Sequence, residues 1–384
     1  MTVNFRLLFH MLFLSLFKSK QTGLRKGPRR IRFLVWFFVI FIYDTCFAWF
    51  GFLLDNLLFP GFRKQKVESP LFIIGNFRSG TTFLHRLLAK DEKSFTCLKT
   101  WEIYMAPSIS QRKFFRGIMI VDRRLGGFIT RRIRKFEQRV LRPIKLHKVG
   151  IYEPEEDEGI FFYIWNSLFI WFMFPLMKEM HDYFYFDEKL PLHRKNAIMR
   201  YYKRCLQRHM YAHGGKKIFL SKNPAFTPKI DTILRFFPDA KIVYMARNPL
   251  GMFPSQMSWF SFCWEYLNDL DEKFLFIDEI IEFSRYWYLY PIKYLRNVPR
   301  EQYQVIKYRA MIDNPEQVVT GLYDRLKLPL SRTFKQVLAS ESRQAKQFKK
   351  SRVSSLVQIG LSRKQIIDEF SEVFTHFEFD ITRE

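Results

Sequence analysis

The stretch that most constrains the fold is Leu71–Ala89, LFIIGNFRSGTTFLHRLLA. An apolar, β-branched run (Leu71–Ile74) stops at Gly75, and a tight polar turn reaches Gly80. Thr81 and Thr82 then open an amphipathic segment with Leu84, Leu87 and Leu88 on one face. The order predicts buried strand, turn and helix, with backbone N–H groups and the helix dipole aimed at one point, an anion site. The Gly75-x4-Gly80 spacing is that of a Walker loop, but Thr81 stands where that loop needs Lys. The lysine that draws charge from a terminal polyphosphate is missing, which argues against an ATPase. The cation is Arg78, inside the loop beside two hydroxyls, and its planar guanidinium suits a small oxyanion held by paired hydrogen bonds. The plain alternative is a glycine turn before a core helix. The stretch is read as a phosphate-type cradle.

At 384 residues the chain holds one large α/β domain, or a domain with appendages. Its 44 Phe exceed what an ordinary core requires, and its formal charge is +26. No finger, helix-turn-helix or aromatic RNA-binding signature accompanies that charge, so nucleic acid is not the expected partner. Anionic lipid or a polyanionic nucleotide explains it better. Cys46, Cys97, Cys205 and Cys263 are scattered without metal-type pairing, and the histidines show no ligand-like spacing. No metal site is expected.

Residues 1–43 lack Asp and Glu but carry Arg6, Lys18, Lys20, Arg25, Lys26, Arg29, Arg30 and Arg32. From Phe33 the chain is apolar to Phe59, broken only by Asp44 and Asp55. Phe33–Leu54 is long enough to span a bilayer, though a charge at mid-depth costs about 2.5–3.5 kcal/mol. The alternative is a helix lying in the interface with basic flanks. Residues 1–66 are therefore expected to form a membrane-associating helical segment, single-pass or interfacial, ahead of a domain over 67–384. Within that domain, residues 112–148 carry 13 Lys or Arg against Asp122 and Glu137, with apolar residues at steps of three and four. They predict a basic amphipathic helix facing either solvent or a membrane surface. The acidic cluster Glu153–Glu158 and 19 uncharged residues, Gly159–Met177, follow. The latter are expected to form a buried or membrane-dipping helix lining a greasy pocket. Residues 192–211 read as a helix.

Lys217–Ser221 and Ala240–Ala246 read as strands around a helix at Pro228–Phe236, which means a parallel sheet with a crossover. Arg247 lies just past the second strand's carboxyl end, where open α/β sheets bind ligands. Tyr303–Lys307 and Asn314–Leu326 repeat the strand–helix pattern. The expected fold is α/β, a parallel sheet flanked by helices, of P-loop nucleotide-binding type.

These residues resemble the sulfotransferases that use 3'-phosphoadenosine 5'-phosphosulfate (PAPS). FRSGTTFL is similar to the family's 5'-phosphosulfate loop, and RNPLGMFPS, Arg247 to Ser255, to its 3'-phosphate motif. LLFPGFRK, TWE, EPEEDE, SKNP and FPDAKIVYMARNP are similar to a bacterial-type, often membrane-associated branch. The resemblance runs from about Asp55 to the C-terminus. It implies a sulfotransferase-like fold and PAPS as co-substrate, with Arg78, Ser79, Gly80, Thr81 and Thr82 on the 5'-phosphosulfate. Arg247 and Ser255 would hold the 3'-phosphate. It also implies transfer of a sulfuryl group to a hydroxyl, here of a lipid-like or hydrophobic acceptor. Such transfer needs positioning and charge stabilisation, chiefly from Arg78, and a base for the hydroxyl proton. A Glu at a comparable place in carbohydrate-type relatives points to Glu102 as that base, with Glu153–Glu158 in reserve. Two other classes compete. A P-loop phosphotransferase would need a Walker Lys and a Mg-holding Asp. A non-catalytic membrane adaptor would not keep Arg78, Thr81, Thr82, Arg247 and Ser255 together.

Overall fold

A computed structural model of the chain describes residues 3–17, 24–25, 27–141, 150–270, 272–345 and 355–382. Lys18, Lys20 and Lys26 of the basic leader, and 142–148 of the basic segment, lie outside the described residues.

Five parallel strands make the central sheet: β1 (Leu71–Gly75), β2 (Phe95–Thr96), β3 (Ile218–Lys222), β4 (Lys241–Ala246) and β5 (Tyr303–Lys307), in the order β2-β3-β1-β4-β5. Every residue of β1 is buried, as befits a central strand covered on both faces. Alternation divides them: Leu71 and Ile73 join a core with Leu84, Leu87, Val319 and Leu322. Phe72 and Ile74 face a larger core that holds most of the aromatic side chains. There Trp171 meets Trp264 edge-on at 4.9 Å and Phe184 stacks on Phe283 at 4.3 Å. Much of the phenylalanine excess is packed here, where rings give large apolar burial and edge-to-face contacts.

The helices that position the site are α1 (Phe5–Phe17), α2 (Pro28–Leu58), α3 (Thr81–Leu88), α4 (Thr100–Tyr104), α5 (Ile109–Arg124), α6 (Phe128–Phe136), α7 (Leu192–Ala212), α8 (Ile230–Phe236), α9 (Pro249–Leu267) and α10 (Ile277–Leu295). The basic segment is therefore not one helix. It breaks at Gly126–Gly127, and the Asp122 carboxylate accepts the N–H groups of Ile129 and Thr130 at the start of α6. Gly159–Met177 is likewise not one helix: a 3₁₀ segment, Asp157–Ile164, is stopped by Trp165 at φ 52°, and only Ile170–Met173 makes a further turn. The segment is largely buried in the aromatic core.

By length and composition α2 could cross a membrane, yet it packs along elements that flank the central sheet. Phe37 and Phe41 pack on Trp165, while Trp49 and Phe52 meet Tyr201. At Gly51 an added Cβ would fall 2.4 Å from Ser108 Oγ, so the helix approaches α5 where only glycine fits. Asp55 is fully buried. Its carboxylate accepts from the N–H groups of Ile109 (2.9 Å) and Ser110 (2.8 Å), and pairs with Arg208 Nε at 3.0 Å. It thus satisfies the start of α5 and a buried guanidinium together. Asp55→Ala strands both, and should lower unfolding free energy by about 3–5 kcal/mol. Denaturant titration beside Asn56→Ala, a neighbouring side chain, checks this; equal losses for the two would refute the assignment.

Candidate functional site

The loop after β1 and the loop after β4 meet because their strands are neighbours. Gly80 adopts φ 88°, and a Cβ there would strike the Tyr308 ring at 2.5 Å. Arg78 itself sits at φ 68°, uncommon for a side chain with a Cβ; such strain is found where surroundings hold a functional geometry. Its Nε donates to Ser255 Oγ at 3.1 Å, across 177 residues of sequence. Arg247 donates to the Arg78 carbonyl oxygen at 2.8 Å and lies 4.6 Å from the Tyr308 ring centre. Tyr288 in turn donates its hydroxyl to the Arg247 carbonyl.

Burial, then the nearby Arg247 charge, lowers the pKa of the Arg78 guanidinium. The Arg78 charge is thus disfavoured where it stands, and an anionic ligand would favour it. The opening N–H groups of α3 lack intrahelical acceptors, and Thr81 and Thr82 lie on the same wall. Ser79 is placed differently: it is fully buried within the loop, and its Oγ has no hydrogen-bond partner among the described residues. The residues therefore fit a bound phosphate-type group.

These side chains line a cavity of about 2570 Å³, well beyond the roughly 300–1,000 Å³ of a single small-ligand pocket. Phe162, Phe169, Phe172, Met173 and Trp259 supply an apolar part of its wall, so Gly159–Met177 does line a greasy pocket, though as broken turns. Glu153, Glu155 and Glu156 supply an acidic part. Of these, Glu156 pairs with the buried Lys222 and its charge reaches Arg78. The other half of the acidic cluster turns inward. Glu158 accepts from the Leu168 N–H and from Asn223 Nδ2 at 2.8 Å, and lies 3.6 Å from Lys229. Asp157 accepts from Tyr202 and Ser221 hydroxyls.

Glu102 is not brought to the cavity wall. It is 1% exposed at the start of α4, bonded to the Lys99 N–H at 3.1 Å and to His213 Nε2 at 2.8 Å, with Arg112 at 3.8 Å. Burial alone would raise its pKa, but Arg112, His213 and His209 overcome that and hold it far below the usual carboxylate range. Such a group is a poor proton acceptor. His209, in the last turn of α7, and His213, its C-cap, are four apart, a spacing whose meaning depends on the helix continuing to that point. With Glu102 they bring three donor atoms within 4.8 Å of one another. Arg112 and Thr96 already engage the two ring nitrogens of His209, so the cluster reads as a buried ion network. Tyr308 was missed; its only signal was its place one residue past β5.

The architecture is that of a P-loop α/β nucleotide-binding fold in which two loops meet at the carboxyl ends of adjacent strands. A model of the sulfotransferase family matches residues 70–332, and the chain belongs to that family. Among solved structures it is similar to sulfotransferase STF9 from Mycobacterium avium, with a TM-score of 0.67 and 19% identity over 99% of this chain and 98% of that one. It is similar too to STF1 from Mycobacterium tuberculosis H37Rv, with a TM-score of 0.66 and 18% identity over 96% and 92%. Both likenesses bear out the expected fold. Omega-hydroxy-beta-dihydromenaquinone-9 sulfotransferase Stf3 of Mycobacterium bovis is 24% identical over 202 residues, 49% of this chain and 44% of that protein. Its Mycobacterium tuberculosis counterpart matches equally. The chain thus aligns with less than half the length of these curated relatives.

The buried Asp157 carries a pH signature. Burial lifts its pKa to about 7, against the pull of the Tyr202 and Ser221 hydrogen bonds; an unfolded Asp titrates near ~3.9. The fold therefore favours the protonated form. That contribution is complete below the unfolded value and is lost as pH rises through 7. Asp157→Asn removes the titration, so its melting temperature relative to the native chain should rise from pH 4 to pH 8 and level off above. A pH-independent difference would rule this out.

Proposed function

We propose that the chain is a PAPS-dependent sulfotransferase acting on a hydroxyl of a lipid-like acceptor at a membrane surface. The observation that carries this reading is the convergence of Arg78, Thr81 and Thr82 with Arg247 and Ser255 on one wall, tied by the Arg78–Ser255 hydrogen bond. Arg78, Gly80, Thr81 and Thr82 would hold the 5'-phosphosulfate, with the buried Ser79 contributing to that loop from within. Arg247 and Ser255 would hold the 3'-phosphate. PAPS, when bound, supplies the sulfuryl group; the protein's part is to align it and to stabilise the charge that develops in transfer.

The acceptor's proton needs a carboxylate that reaches the cavity, which favours Glu156 over Glu102. Glu156 stands on the wall beside Arg78 and keeps its orientation through Lys222. Glu102, with Arg112 and His213, would instead fix α4 and α7 behind the wall. The apolar wall and the size of the cavity suit a reactant larger and greasier than a sugar. A named activity on a menaquinone derivative in a relative agrees with that class. The exposed apolar side chains of α1 and α2, set beside basic residues, favour membrane association.

A phosphotransferase reading fares worse, because no lysine stands in the loop. Thermal shift separates the two: adenosine 3',5'-bisphosphate should stabilise the chain, and ATP with Mg should do so far less. Arg78→Ala should weaken PAPS by roughly 10- to 150-fold, the equivalent of about 1.5–3 kcal/mol for a charge-assisted contact. Arg247→Ala should cost PAPS affinity far more than affinity for adenosine 5'-phosphosulfate; equal losses would make Arg247 structural. Glu156→Gln should lower turnover by about 10²–10⁴ with nucleotide binding kept, whereas Glu102→Gln should lower the melting temperature first. Full turnover in Glu156→Gln would return the role to another carboxylate.

A further inference from the structure

The outward face of α2 has no partner among the described residues of the chain. Val35, Val39, Tyr43, Phe50, Leu53 and Leu57, with the exposed Cys46 between Tyr43 and Phe50, recur along it at steps of three and four, and those six are all more than half exposed. The opposite face is occupied from end to end. Near its start Arg30 donates to the Met173 carbonyl oxygen at 2.8 Å, to Asn268 Oδ1 at 2.6 Å and to Ser15 Oγ at 2.7 Å. Near its end Asp55 makes the buried contacts with Arg208, Ile109 and Ser110 already described. The two anchors are separated by about 37 Å of helix at 1.5 Å per residue. That exceeds a hydrocarbon core of about 30 Å, yet both are fastened to the same domain.

A helix standing across a bilayer would carry those polar partners, and the helices behind them, into lipid, where each unmet polar group is costly. A helix lying in the interface leaves them in water and sinks only its apolar stripe. The charges match that pose: Arg29 and Arg32 are exposed at one end of α2, and Arg63 and Lys64 just past the other. α5, which packs on α2, ends in the exposed Arg123 and Arg124. α1 adds its own exposed row, Phe5, Phe9, Phe13 and Phe17, and is joined to α2 through Ser15 and Arg30.

We propose that α2 is an in-plane docking helix for an anionic bilayer surface and that it does not span the membrane. This deepens the reading of a membrane-derived acceptor. Phe174, which packs on Phe33 and Phe37 of α2, directly follows Met173 on the cavity wall. The docked face and the apolar wall are thus one layer of side chains apart.

Cys46 reports the pose in the unaltered protein, since it is exposed midway along α2. Cys97, Cys205 and Cys263 are more buried, and burial pushes their thiols up to about 11–12. The full chain, labelled at Cys46 with an environment-sensitive fluorophore, is mixed with phosphatidylcholine vesicles with and without 30% phosphatidylglycerol (about one lipid in three, enough for strong charge). Lipids carrying a quencher near the headgroup should quench more than lipids carrying it near the chain end, and anionic vesicles should float at least tenfold more protein. Stronger quenching from the chain end would mean a span and overturn the proposal. Equal flotation with neutral vesicles would overturn the anionic preference. Val39→Glu with Leu53→Glu, both on the exposed stripe, should reduce flotation at least tenfold with unchanged melting temperature. If the native chain ignores vesicles but is dimeric by light scattering, and the double variant is monomeric, the face belongs to a second copy and the proposal falls. Stabilisation by adenosine 3',5'-bisphosphate is measured in parallel. Its loss alongside intact flotation would refute the catalytic reading and leave the docking face standing.

Discussion

Two guanidiniums held close together in a partly dry cavity are the condition on which the rest of this structure depends. Burial and the neighbouring Arg247 charge both work against the Arg78 charge. The fold holds them there by covalent and hydrogen-bonded means that do not rely on their charges. β1 and β4 are adjacent in the sheet, in register from Leu71 against Lys241 to Gly75 against Met245, so the loops leaving them must meet. Gly80 lets Tyr308 press in from the next strand, and that ring also lies beneath Arg247. Such an arrangement would be relieved by a bound anion, which is the physical meaning of a preorganised site.

The cradle was legible in the sequence because its parts are local. A buried run ending in glycine, an arginine within the turn and two threonines at a helix start announce their geometry over a dozen residues. The strands at Lys217–Ser221, Ala240–Ala246 and Tyr303–Lys307 were legible for the same reason, and each lies within a residue of the observed β3, β4 and β5. Helix α9 leaves little period to read because aromatic residues stand on all its sides. Helix α10 does carry one, with Asp278, Glu279 and Glu282 opposite Ile280, Phe283 and Trp287, but its interior Pro291 counts against a helix. Gly159–Met177 misled in the opposite way. An uncharged run of that length suggests one helix, but a fully buried segment has no polar face to enforce a period, and local turns satisfied the same burial.

Glu102 shows where local reading ends. A carboxylate beside Trp101 at the start of a short helix looks available for proton transfer. Its availability is decided by Arg112, ten residues on, and by His213, 111 residues on, both of which reach it through the tertiary fold. The acidic cluster divides by the same rule. Glu156 remains on the wall because Lys222 holds it there, while Asp157 and Glu158 turn inward to meet Tyr202, Ser221, Asn223 and the Leu168 N–H. Adjacent residues of one charge thus take opposite duties, set by which partners the sheet and α7 place within reach.

The same reasoning applies to Asp55, which in the sequence is an unwelcome charge in an apolar run. In the fold it accepts the leading N–H groups of α5 and neutralises Arg208, so the charge sits where helix ends need one. An apolar run interrupted by an acid that has found a partner is better read as a helix with two faces than as a defective span. One face of α2 carries Arg30 and Asp55 into the protein's interior, and the other is left with nothing but apolar side chains and flanking bases. Because α2 packs against the turns that form the apolar wall of the cavity, anchoring through its outer face would place that wall one layer of side chains from the docked surface. A membrane segment tethered by a flexible linker would bring the enzyme near its acceptor without orienting it. On the docking proposal, a segment fastened at both ends would fix which wall of the cavity faces the lipid.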